Sequence, residues 1–151
     1  MKRKTIDFLR VCFPFLLTIG LWHASVPFWN PAGILALIPM FFCVFIRPTD
    51  WFLIFSVFMC VALDYKFETV CFWLAIFCLF YAINSFQNII DVSRLDLNGI
   101  GAFFCFLGLG IFIQTACVFS VVNLFRGIWI VLWVCALYIP ITKLIQRIQN
   151  D

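Results

Sequence analysis

Residues 32–63 read AGILALIPMFFCVFI, then RPTD, then WFLIFSVFMCVAL: two continuous apolar runs hinged on a turn that carries an arginine, a proline and an aspartate. Neither run alternates apolar with polar residues as a half-buried strand does, and neither keeps a polar face. The arrangement extends in both directions. Apolar stretches occupy 8–27, 32–46, 51–63, 70–90, 99–122 and 127–145, and the charges fall almost wholly between them. With 66% hydrophobic residues, 20% aromatics and a mean hydropathy of +1.12, a water-soluble fold of 151 residues has too little interior to hide this surface. Continuous runs also argue against barrel strands. The expected fold is therefore an all-α integral membrane protein: a single transmembrane domain over 1–151, built as a compact bundle of about six helices with the second and third short.

Basic residues set the expected orientation. Lys2, Arg3, Lys4, Arg10, Arg47, Arg94, Lys143 and Arg147 fall at one set of alternate gaps, and only Lys66 and Arg126 at the other. Cytoplasmic loops are the ones enriched in Lys and Arg, so both termini are expected in the cytoplasm. The basic start followed by an apolar run has the form of a signal peptide. Cleavage near His23 would leave an odd number of spans with the last basic residues outside, so an uncleaved first helix is expected.

Little in the chain reads as chemistry. The eight cysteines lie inside apolar runs and none forms a Cys-x-x-Cys pair, which suits buried small hydrophobes. His23 is the only histidine and is expected in an outer loop, so neither a metal site nor a cofactor is expected. No nucleophile pairs with a base, and catalysis is not expected. Nucleic-acid binding has no support.

Polar and small residues inside or beside the runs give the candidate structural and interaction positions. Pro48 disfavours helix at Arg47, and Asp50 or Thr49 is placed to cap the next helix. Arg47 can snorkel to headgroups, with Trp51 at the interface. The third helix is expected to run past Asp64 towards Thr69, which would put Asp64 and Glu68 on one face. A locally thin bilayer and a re-entrant hairpin are the alternatives for this short pair. Gly101, Cys105 and Gly108, continued by Ala116 and Ser120, form a small-residue stripe expected to serve internal packing, and Gln114 is expected to bond to another helix. Residues 123–127 read as a tight outer turn and 143–151 as a short polar tail. Pro140 is expected to kink the last helix, and Pro14 and Pro39 can do the same in the first two.

The series Asn30-Pro31 … Arg47-Pro48 … Asp64 resembles the bacterial rod-shape-determining membrane protein family MreD. There a proline opens the second helix (here Pro31), a proline-containing turn follows (Pro48), and a short third helix ends in an aspartate (Asp64) before an aromatic fourth span (70–83). Where the family carries glycines before that aspartate and in the loop after it, this chain has Ser56, Cys60, Glu68 and Phe72. The resemblance implies a non-enzymatic scaffold of wall elongation in the bacterial inner membrane. Its partners would be an MreC-like protein, an MreB-like filament and wall synthases, with Arg47, Pro48 and Asp64 shaping the partner surface and Pro31 opening the second helix. The principal alternative is a small transporter subunit, the substrate-binding component of an uptake system, with a polar pocket around Asp64, Glu68 and Arg126. An enzyme acting on lipid through Asp64 and Glu68 ranks third.

Overall fold

The computed structural model describes residues 2–24, 32–87, 97–117 and 121–150, and every regular element among them is helical. Asn30, Pro31, Arg94 and Ser120 lie outside the described residues. The six helices are α1 (Lys2–His23), α2 (32–46), α3 (Phe52–Lys66), α4 (Phe72–Gln87), α5 (Leu97–Cys117) and α6 (Val121–Asn150). One of them, over Leu124–Gln149, is long and apolar enough to cross a membrane.

Helix α2 is the centre of the bundle. It is assembled from Ala32–Leu35, Leu37–Phe41 and a wide π-helical turn, Phe42–Ile46. The break at Ala36 has a local cause: Pro39 has no N–H for the Leu35 carbonyl, and its ring crowds that oxygen. Every residue from Ala36 to Ile46 is buried. A helix apolar on all sides is stable only when surrounded, and here its neighbours supply the surround. Phe41 meets Phe80 of α4 at 5.7 Å, Phe103 of α5 at 5.3 Å and Phe106 at 5.6 Å, centroid to centroid. Phe45 meets Phe77 at 5.6 Å and Phe80 at 5.4 Å. Tyr138 of α6 stacks on Phe103 at 4.8 Å. Each such pair adds ~0.5–1.5 kcal/mol beyond its buried area.

Helices α1 and α3 lie side by side and run the same way. Phe15 packs on Phe52 at 4.7 Å and on Phe55 at 5.0 Å, and Lys66 at the end of α3 reaches the last carbonyls of α1. The turn at 47–51 therefore lies about level with Arg10, some one and a half turns before Phe15. The α2–α3 hairpin reaches back as far as the charged part of α1.

Several boundaries differ from the sequence reading. Helix α3 stops at Lys66 and does not continue to Thr69, because the chain turns through Glu68, whose φ is 55°. His23 is the last residue of α1 rather than part of a loop. Residues 123–127 are not a turn: they are the opening of α6, where Gly127 is buried and Leu124 and Ile128 line a shared cleft with α5. Residues 143–150 continue the same helix instead of forming a tail. At 47–51 neither Thr49 nor Asp50 caps α3. Phe52 N–H donates to the Thr49 main-chain carbonyl at 3.1 Å, and Trp51 occupies the cap position with φ 66°.

Candidate functional site

Two features collect the residues singled out above: a polar junction at the end of α3, and the outward face of α5 beside α6.

Asp64 is only 5% exposed, and its carboxylate is fully engaged. Oδ1 accepts the Thr69 hydroxyl at 2.8 Å and the Trp73 N–H at 2.9 Å, while Oδ2 accepts the Leu74 N–H at 3.0 Å. Trp73 and Leu74 are the second and third residues of α4, the donors that an N-cap side chain ordinarily takes. The residue at the cap position itself, Cys71, has no suitable oxygen and sits at φ 52°. An aspartate from the preceding helix thus caps α4 across the loop, with its charge at the favourable end of the helix dipole. The loop is tightened by Thr69 N–H donating to the Asp64 main-chain carbonyl at 2.9 Å.

Lys66, two residues on, performs the complementary task. Its Nζ donates to the Trp22 carbonyl at 2.7 Å and the His23 carbonyl at 3.4 Å, and lies 4.8 Å from the Trp22 ring centroid. A cation at the carbonyl end of α1 again matches the dipole. Asp64 and Lys66 together tie three helix ends. Glu68 is exposed, outside any helix, and does not join Asp64 on a shared face. Among the described residues, no three histidine, cysteine or acidic side chains converge as a metal site would require.

The stripe on α5 is arranged differently from the expectation. A Cβ added at Gly101 or Gly108 meets nothing within 4 Å among the described residues, and Cys105 between them is exposed. These residues face outward and do not pack the bundle. Close packing falls to Gly99 and Gly110, three helical turns apart on the opposite face. A Cβ at Gly99 would come to 2.8 Å from Ile46 Cδ1, and one at Gly110 to 2.7 Å from Trp73 Cζ3. Phe103, Phe106 and Leu107 share that buried face. The sequence held a signal for it, since 99, 103, 106, 107 and 110 follow helical spacing, but so do 101, 105 and 108. Gln114 is exposed rather than turned into a helix contact.

Beside Gly108, α5 and α6 leave an apolar cleft of about 200 Å³, lined by Phe104, Phe112, Leu124, Gly127 and Leu132 among others. Arg47 is half-buried and Pro48 exposed in the turn between α2 and α3, away from the Asp64 junction in sequence. No family model, characterised protein or solved structure matches the chain.

Proposed function

We propose that the chain is a multi-pass membrane protein acting as a non-enzymatic scaffold that holds partner transmembrane helices. The membrane reading is supported by an apolar exterior around an interior already filled with aromatics: Phe8, Leu16, Phe58, Phe112, Phe125 and Trp129 are all exposed. The observation that carries the scaffold reading is the open face of α5. Lipid gives no hydrophobic drive for helix association, so close approach over small residues must supply it. Gly101, Cys105 and Gly108 offer that approach outward, next to the apolar cleft, while a separate pair of glycines packs the bundle.

The MreD-like assignment, to bacterial wall elongation in the inner membrane with MreC-like, MreB-like and synthase partners, rests on the Asn30–Asp64 resemblance. Two local features agree with it. Glu68 adopts the left-handed backbone that glycine takes without strain, in the loop where the family carries glycine. Ser56 and Cys60, standing for the glycines before the aspartate, are fully buried small residues. The transporter-subunit alternative needs a polar pocket at Asp64, whose two oxygens are taken up in capping α4.

The test is affinity purification of the tagged protein from native membranes in mild detergent, comparing wild type with Gly108→Leu. The fold has room for that side chain, so helix content and thermal stability should hold. Recovery of wall-elongation partners by wild type, lost in the variant, is the expected result. Recovery of energy-coupling transport subunits instead refutes it.

A further inference from the structure

Helix α3 carries an exposed row, Trp51, Ile54, Phe58, Val61 and Tyr65, whose two ends are its most open positions, Trp51 at 77% and Tyr65 at 88% exposed. Of the small residues of this helix, Ser56 and Cys60 are turned inward and fully buried, and Ala62 is half-buried at the edge of the row. The outward row therefore has bulky aliphatic and aromatic groups in the middle and an amphipathic ring at each end. A helix-docking face in lipid has the reverse character, small in the middle. Rings that are apolar in body and polar at the tip settle at headgroup level, so Trp51 and Tyr65 mark two membrane surfaces. Exposed acidic residues lie just past both marks, Asp50 before Trp51 and Glu68 beyond Tyr65.

The distance between the marks is short. From Trp51 to Tyr65 the helical rise amounts to ~21 Å, against a hydrocarbon core of ~30 Å. The neighbouring α1 sets the same limit independently. Arg10, ion-paired with Asp7 at 3.7 Å, and His23 bracket its apolar part, and the rise between them is ~20 Å. The two helices are held level by Lys66 on the Trp22 carbonyl. In α6 the apolar part between Arg126 and Lys143 has a rise of ~26 Å, again short of that core.

We infer that the α1–α3 side is a lipid-facing surface that fits a bilayer thinned to about two-thirds of its usual core. The partner is the acyl-chain region of short-chain or locally compressed phospholipid. This inference rests on the membrane reading above. Thinning under a mismatched surface is resisted by the lipid, which makes such a surface select short chains where both lengths are offered.

The test uses the full chain reconstituted in phosphatidylcholine vesicles, with tryptophan quenching by lipids brominated near the headgroup or near the chain end. The Trp51 signal is the part lost on Trp51→Phe. A second protein, Trp51→Phe with Tyr65→Trp, moves the reporter to the other end of α3. The expected result is stronger quenching of both reporters by bromine near the headgroup, with dimyristoleoyl lipid displacing dioleoyl lipid from them at about threefold advantage. One reporter interfacial and the other deep overturns the inference, because α3 would then not mark two surfaces. Neither reporter quenched while Trp129 and Trp133 are quenched also overturns it, since a second copy would be covering the row, and leaves the membrane reading standing. Absence of quenching at every tryptophan removes the membrane reading itself.

Discussion

Replacing Asp64 by alanine tests the junction that organises three helix ends. The carboxylate accepts three hydrogen bonds in a site nearly closed to solvent, two of them from main-chain N–H groups of α4. Losing an N-cap side chain costs ~0.5–2 kcal/mol. Each buried N–H left without an acceptor costs ~1–3 kcal/mol, an amount that overlaps the first. The sum expected for Asp64→Ala is about 3–4 kcal/mol of stability. Asp64→Asn keeps one acceptor oxygen and loses the charge at the helix N-terminus, and should lose about half as much, ~1–2 kcal/mol. Reversible unfolding of the purified protein in mixed micelles, followed by helix content, measures both. Thr69→Val completes a double-mutant cycle, in which the hydroxyl bond at 2.8 Å should appear as a coupling of about 1 kcal/mol. Asp64→Ala within about 0.5 kcal/mol of wild type, or no coupling to Thr69, would refute the capping argument.

Three further outcomes follow from the same geometry. Gly110→Ala drives a methyl into the Trp73 ring and should destabilise by ~1–3 kcal/mol, whereas Gly108→Ala, with open space at its Cβ, should stabilise by ~0.5–1 kcal/mol; paired unfolding curves decide. Tyr138 Oη and Ser56 Oγ are buried without hydrogen-bond partners among the described residues. Tyr138→Phe and Ser56→Ala should therefore leave stability unchanged or raise it by up to ~1 kcal/mol, and a clear loss in both would mean that an acceptor reaches them. Lys66→Met removes the cation from the α1 carbonyl end and should cost ~1 kcal/mol, an effect that added salt diminishes in the wild type but not in the variant.

The helical class of this chain is legible in its sequence because continuous apolar runs separated by charged turns leave no alternation for strands to use. The limits of α2 are legible too. Pro48 stops the helix at Arg47, and the structure ends it at Ile46. The opening of α6 misled because Arg126-Gly127 has the composition of a turn. The glycine instead lies buried where α6 approaches α5, a contact between elements that composition alone does not register. Asp64 drew attention as one of two carboxylates between apolar runs, expected to share a helix face with Glu68. Its role was hidden because the N–H groups it satisfies belong to the next helix, beyond a loop that takes two left-handed residues to bring them back.

Helix α5 shows the division most clearly. It is apolar on every side, so the sequence determines that it is a helix and that small residues recur along two of its faces. A hydrophobic pattern orients a helix only through contrast between faces, and this one has none. The choice is made by shape: Trp73 and Ile46 leave room for hydrogen alone at Gly110 and Gly99, and that fit turns Gly101 and Gly108 outward. What the residues by themselves determined is the apolar, helical character of the chain and the placement of its charges. Which surfaces meet inside, and which stay open for lipid or a partner, was decided only when the side chains of distant helices had to share one interior.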